Sequence, residues 1–417
     1  MERIRPSKVK SVDPDKTESK PVPTIRLAPV DVVAFVDTFA QGPFDEPVPV
    51  NSWREFQMLY GGFCATSEAS YAVYLFFENG GEFAWIVRVP DPAESGLAVM
   101  GSGGERQASP GSVADSLIGG AESRTGMHAL RSLTRKRPAV LAIPRAAELG
   151  SHGARVYYEA LSLAKDLGMV LLIDPPLLAD SPAELTEWLH NNPDLLSGHA
   201  ALYFPRLFFP DALQHGRNRS FGPSGAVAGL LSWLDQERGV WQAPAGLHAA
   251  LEAVTPTREL LTEDFGPLTQ RGVNTIRDFP GHGVVLWGAR TLGSGNTGDP
   301  EWKYLPIRRF VLSIERSLNQ DLDWVVFEPN DEPLWAKVRE AVGGFLEGLW
   351  RQGAMQGAKP EQAYFVRCDR TTMTQADIDE GRLIVEVGVA PVKPAEFVIV
   401  RIQQKTATAK AGSGDDC

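Results

Sequence analysis

The chain has 417 residues, of which 43% are hydrophobic and 22% charged, and a formal net charge of −11. That is enough for two or three domains with buried cores, and no apolar run approaches the roughly 20 residues that span a bilayer. The acidic balance argues against nucleic acid as the main partner, because phosphate binding needs a basic surface.

Residues 1–22 are charged, broken by Pro6, Pro14 and Pro21, and carry only Ile4, Val9, Val12 and Val22 as aliphatic side chains. Such a segment cannot bury enough surface to fold alone, which predicts a flexible arm over 1–23. No apolar stretch follows its basic start, so it does not read as a secretory signal, and cytoplasmic synthesis and assembly are expected.

Over 24–280 short apolar strands alternate with helical stretches. Strands are expected at 31–37, 83–89, 139–143, 169–173 and 200–204, and helices at 52–60, 69–79, 152–167, 182–190 and 226–236. Asn51 or Ser52 suits the cap of the first helix and Gly61-Gly62 its stop. Residues 95–120, rich in Gly and Ser, read mostly as a surface loop. This alternation predicts a doubly wound α/β domain with a mostly parallel sheet covered on both faces.

After about residue 281 the pattern becomes α+β. A strand is expected at 284–287 and a helix at 307–319. Asn330 or Asp331, with Pro333, opens a second helix whose apolar stripe is Leu334, Val338, Val342, Phe345, Leu346 and Leu349. Strands at 364–368 and 383–389 complete a C-terminal domain over 281–393. Residues 394–417 form a C-terminal arm containing the strand Phe397, Val398, Ile399, Val400, Arg401 and Ile402.

In an open parallel sheet, ligands bind beyond the carboxyl ends of the strands. Those ends read Pro144-Arg145, Asp174-Pro175-Pro176 and Pro205-Arg206, with no GxGxxG or GxxxxGK[ST] beside them. Ser224, with Asp174 and His248, is the best arrangement for a hydrolase. Ala226 stands where a GxSxG elbow needs glycine, so Ser224 reads instead as the N-cap of the next helix. Asp377, Asp379 and Glu380 read as a solvated helix start capped by Thr374. The 7 histidines are solitary, and Cys64, Cys368 and Cys417 lack the spacing of a zinc site or disulfide framework. No metal, cofactor or catalytic residue is expected, and the chain does not read as an enzyme.

Several stretches stand in a telling order. Near the start are Val33-Ala34-Phe35-Val36, Gly42-Pro43, Glu46-Pro47-Val48, Ser52-Trp53, Tyr60-Gly61-Gly62-Phe63 and Phe77-Glu78-Asn79-Gly80-Gly81. Arg124-Thr125-Gly126 and residues 237–244 follow, then 272–277, 281–292, Trp302-Lys303-Tyr304, 324–335, 371–379, 388–391 and 394–398. Together they resemble the contractile phage tail sheath family, which also covers extracellular contractile injection systems.

The resemblance implies a structural subunit that polymerises into stacked hexameric rings around an inner tube. Contraction would then drive the tube through a target cell envelope. Implied partners are further copies of the chain, the inner tube protein, baseplate and terminator or cap proteins, and sheath paralogues. Nucleic acid and direct membrane insertion are not implied, and the location is a phage virion or phage tail-like particle. Terminal strands in the family join a neighbour's sheet, which assigns linkage to Phe397–Ile402 and, in the N-terminal arm, to Ile4, Val9 and Val12. An inward C-terminal domain makes Lys337, Arg339 and Glu347 candidate inner-tube contacts. The basic, proline-broken arm departs from the apolar strand with which many members begin, and 95–120 is too short for the extra outer domains of large phage sheaths. The alternatives are a soluble α/β hydrolase and a baseplate or tube adaptor sharing the fold.

Overall fold

Strands that are apolar on both faces must be covered on both faces. Val33–Asp37 is buried throughout, with Val33 and Phe35 in one core and Ala34 and Val36 in another. The same split runs through Val140–Ala142, Val170–Ile173 and Ala200–Phe204. The structure is a computed structural model and describes residues 23–93, 99–100, 106–107, 109–294 and 300–394.

These strands lie at the centre of a nine-stranded sheet. Its order is Ala250–Leu251, Gly283–Trp287, Val273–Phe279, Ala200–Phe204, Val170–Ile173, Val140–Ala142, Val33–Asp37, Ala84–Arg88 and Val48–Val50. The six strands from Val273–Phe279 to Ala84–Arg88 run parallel, and the outer ones pair antiparallel. Winding reverses between Val33–Asp37 and Val140–Ala142, which makes the gap between their carboxyl ends the topological switch point.

Helices Glu68–Glu78 and Ser224–Arg238 cover one face. Helices Pro110–Ile118, Ser151–Leu167, Pro182–Asn191 and Thr262–Gln270 contribute to the core on the other. Pro110–Ile118 corrects the expectation of a loop. Ser109 caps it, and Val113, Ala114, Leu117 and Ile118 are buried, an apolar stripe hidden among Gly and Ser in the sequence. The hairpin Leu207–Asp211 and Arg217–Phe221 was also not anticipated.

The sheet runs past residue 280, through Trp287. Helix Leu305–Asp321 belongs to two cores. Leu305 and Leu312 pack on the sheet, while Phe310 and Ile314 join a third core with helix Glu332–Arg351. Arg309 pairs with Asp235 at 2.9 Å and donates to the Val30 carbonyl at 3.1 Å, both side chains being nearly buried. Burial pushes Asp235 up to about 6 against the opposing pull of Arg309. The chain before the first strand runs along the same helix: Arg26 N–H donates to Asp321 at 2.7 Å and Ala28 N–H to Ser317 Oγ at 2.8 Å. Ile4, Val9, Val12 and Phe397–Ile402 lie outside the described residues.

Helices Glu68–Glu78 and Ser224–Arg238 approach closely through glycine. A Cβ on Gly229 would stand 2.3 Å from the Phe76 carbonyl oxygen, whereas one on Gly343 meets nothing within 4 Å. Gly229→Val is therefore expected to destabilise by about 1–3 kcal/mol through overpacking. Gly343→Ala, inside a helix, should stabilise by roughly 0.5–1 kcal/mol. Denaturant unfolding of the two variants checks both the opposite signs and the helix contact.

Candidate assembly interface and the sealed strand ends

At the switch point the chain supplies its own anion. Asp37 is fully buried, and its carboxylate accepts from Thr38 N–H at 2.7 Å, Ala69 N–H at 2.9 Å and the Ser67 hydroxyl at 3.1 Å. Asp174 accepts the Ser224 N–H at 2.8 Å and its hydroxyl at 2.6 Å. Free N–H groups and the dipole make helix N-termini ready anion sites. In this chain the starts of Glu68–Glu78 and Ser224–Arg238 are filled from within.

Between these two carboxylates, Glu68 pairs with Arg206 at 2.5 Å, both nearly inaccessible. Glu68 also accepts the Gly222 N–H at 2.7 Å, and Arg206 donates to the Pro175 carbonyl at 3.0 Å and Ser220 Oγ at 2.9 Å. Burial pushes Asp37 and Asp174 up to about 6. It pushes Glu68 up to about 8 against the attraction of Arg206.

The hydrolase arrangement is not assembled. Ser224 meets Asp174 directly, while His248 is exposed and its Nε2 donates to the Ala243 carbonyl at 3.3 Å. Nor is Ser224 the helix cap. It is the first helical residue, and Asp174 from a distant strand does the capping. Sequence inspection finds only local caps such as Ser52 and Thr374, both of which form as expected.

The C-terminal domain offers a different kind of site. Strands Tyr364–Arg367 and Glu386–Val389 form a two-stranded antiparallel sheet. Among the described residues each strand is paired on one side only. Beside it lies an open groove of about 890 Å³ lined mostly by apolar side chains. Leu383, Val385 and Val387 line it together with Ile314, Leu318 and Leu322, and Glu315, Asp323 and Glu328 line it as well. Alternate residues of 383–389 (Leu383, Val385, Val387 and Val389) thus line a space the described residues leave open.

The candidate tube contacts lie on helix Glu332–Arg351. Lys337 is exposed. Arg339 bonds Glu332 at 2.7 Å and also the Cys368 carbonyl, and Glu347 bonds Arg351 at 2.5 Å.

Residues 297–405 match the phage tail sheath C-terminal domain. The chain is related to the contractile tail sheath proteins. It is similar to the sheath of an extracellular contractile injection system, PVC, in the contracted state: 26% identity, 97% of this chain and 98% of that one, TM-score 0.70. The contracted helical sheath of the anti-feeding prophage is 29% identical, over 96% of this chain and 100% of that one, TM-score 0.70. A tail sheath protein of Vibrio phage KVP40 is 24% identical over 184 residues. The chain spans about a quarter of that relative's length, 26%, and the match takes in 44% of this chain.

The buried carboxylates give this sheath relative a definite acid–base signature. Asp174 holds its proton in the folded state up to about pH 6, whereas its ordinary value is 3.8. Its contribution to stability is therefore complete below that ordinary value and is lost as pH rises through the folded one. In Asp174→Asn, the fall in unfolding free energy between pH 4 and 6 should be shallower, by up to about 1.4 kcal/mol per pH unit. Urea titrations at several pH values measure the slope.

Proposed function

We propose that the chain is a contractile sheath subunit that polymerises into stacked hexameric rings around an inner tube and contracts to drive that tube through a target cell envelope. The observation that carries the reading is the near-complete overlap with two injection-system sheaths. The half-paired C-terminal sheet beside an open apolar groove supports it. Adding an extended strand to such an edge supplies main-chain hydrogen bonds and removes an aggregation hazard. A head-to-tail interface that does not close produces a helical filament.

In this reading the first sheath domain runs from 24 through Trp287 rather than ending at 280, the C-terminal domain continues to 393, and 1–23 and 394–417 are the linking arms. Phe397–Ile402 pairs with a sheet edge in a neighbouring subunit. Lys337 is the first candidate for contact with the inner tube. Arg339 and Glu347 would have to share their present partners to join it. Assembly takes place in the cytoplasm, with baseplate and cap proteins closing the two ends. An anti-feeding prophage baseplate structure, 28% identical over 96% of this chain with a TM-score of 0.67, supports a position beside a baseplate.

A cut after Lys393 tests the linkage. The lost strand would bring several main-chain hydrogen bonds at about 1 kcal/mol net each, and four or five apolar side chains at roughly 1.5–3 kcal/mol each. The truncated chain is expected to melt cooperatively and sediment as a monomer without forming tubes. Loss of cooperative melting would mean that the strand belongs to its own chain's core. Tubes that still form would remove 394–417 from the linkage.

A further inference from the structure

The large sheet carries a cationic loop at the amino ends of its strands. Leu133-Thr134-Arg135-Lys136-Arg137-Pro138 leads into the strand Val140–Ala142, and Arg135, Lys136 and Arg137 are exposed. None of these cations forms an ion pair among the described residues. Arg316 stands beside them, donating to the carbonyls of Arg137 at 2.9 Å, Pro138 at 2.9 Å and Gly168 at 3.1 Å. Burial, and then the charge of Arg137, bring Arg316 down to about 10. Like charges are therefore felt within the cluster, and an anion laid over the loop relieves them.

The loop is also pinned. Trp85 Nε1 donates to the Lys136 carbonyl at 2.8 Å, and Arg137 Nε to the Leu133 carbonyl at 3.0 Å. The Lys136 ammonium stands 4.5 Å from the centre of the Phe83 ring. Its backbone takes φ +45°, a conformation uncommon for residues other than glycine and asparagine. Cations fixed in place before binding lose less freedom when a partner arrives.

An acidic surface of matching kind lies elsewhere on the chain, whose net charge is −11. An open cleft of about 670 Å³ separates helices Pro182–Asn191 and Thr262–Gln270, and Glu187, Glu263 and Asp264 line it. Asp264 accepts the Leu261 N–H at 2.8 Å. Glu187 and Glu263 are exposed and form no hydrogen bond or ion pair among the described residues. His190 and Arg271 also line the cleft, toward the carboxyl ends of the two helices, whereas Glu263 and Asp264 lie in a first turn. Among the described residues no hydrogen bond or ion pair joins the loop to either helix, so both charged surfaces are left for contacts outside the subunit.

We propose that Arg135, Lys136 and Arg137 dock into the cleft of a second copy of the chain, beside Glu187 and Glu263. Loop and cleft are different patches, so the contact is head-to-tail and can repeat without closing. The inference rests on the reading of the chain as a polymerising subunit, and it adds a contact between folded domains that uses neither terminal arm.

The test treats the native chain with a water-soluble carbodiimide, which joins an amine to a carboxylate as an amide while the reagent takes up the water. Isotopically heavy and light preparations are mixed first, and coupling is run both in solution and on assembled material. Amides between Lys136 of one preparation and Glu187 or Glu263 of the other are expected. Lys136 coupled only within one chain, or only to other acids, would overturn the contact. Charge reversal gives a second readout. Arg135→Glu with Lys136→Glu, or Glu187→Lys with Glu263→Lys, should each raise the concentration needed for assembly at least about tenfold, because like charges then meet across the interface. Combining both pairs of reversals in one chain restores opposite charges and should return that concentration to within about threefold of the native one. Unchanged assembly in either pair would contradict the contact, and so would failure of the combined variant to recover, which would mean that the loop meets a different anion. Tubes without the Lys136 amides sink the contact alone, whereas amides without tubes sink the polymer reading and leave the contact standing.

Discussion

An unpaired strand edge is a constraint that the rest of a chain must answer. Each backbone N–H and C=O withdrawn from water without a hydrogen bond costs about 1–3 kcal/mol, so an edge must remain wet, be covered by its own chain, or be completed by another. Among the described residues, the sheet of Tyr364–Arg367 and Glu386–Val389 is paired on one side of each strand only. It also flanks a groove lined mostly by apolar side chains. A two-stranded sheet is marginal by itself; this one is held by the core under helix Glu332–Arg351. That support holds both edges in place.

The large sheet serves the opposite purpose. Where other open α/β sheets leave a crevice for ligand, Asp37, Asp174 and the Glu68–Arg206 pair fill the strand ends. Breaking such a pair exposes an uncompensated charge and typically costs about 3–5 kcal/mol, so the cluster fixes the surrounding helices and hairpin as one body. Helix Leu305–Asp321 carries that rigidity into the C-terminal domain, because its side chains enter both cores and Arg309 clasps Asp235.

Much of this architecture was legible in the sequence. The runs at 139–143, 169–173 and 200–204 fall on central strands because continuous apolar segments bounded by turns suit a sheet buried on both faces. Local caps at Ser52, Asp331 and Thr374 were readable for the same reason: their partners lie within three residues. Asp174 capping a helix fifty residues away was not, nor was Glu68 meeting Arg206 at a separation of 138 residues. Phe327 stands on left-handed backbone, φ +72°, which a sequence reveals only where glycine or asparagine marks it. The groove escaped because its walls come from 314–322 and 383–387, segments that periodicity describes singly and only packing brings together.

The central claim is that this chain is a polymer subunit whose lattice has two states. Electron microscopy of the full chain, assembled on an inner tube protein of the same kind of particle, measures this directly. The account predicts striated tubes in two forms: a longer, narrower sheath on its tube, and a shorter, wider one after a trigger such as mild denaturant, both indexing to six subunits per ring. Discrete particles under every condition, or tubes of a single fixed length and width that never shorten, would contradict it.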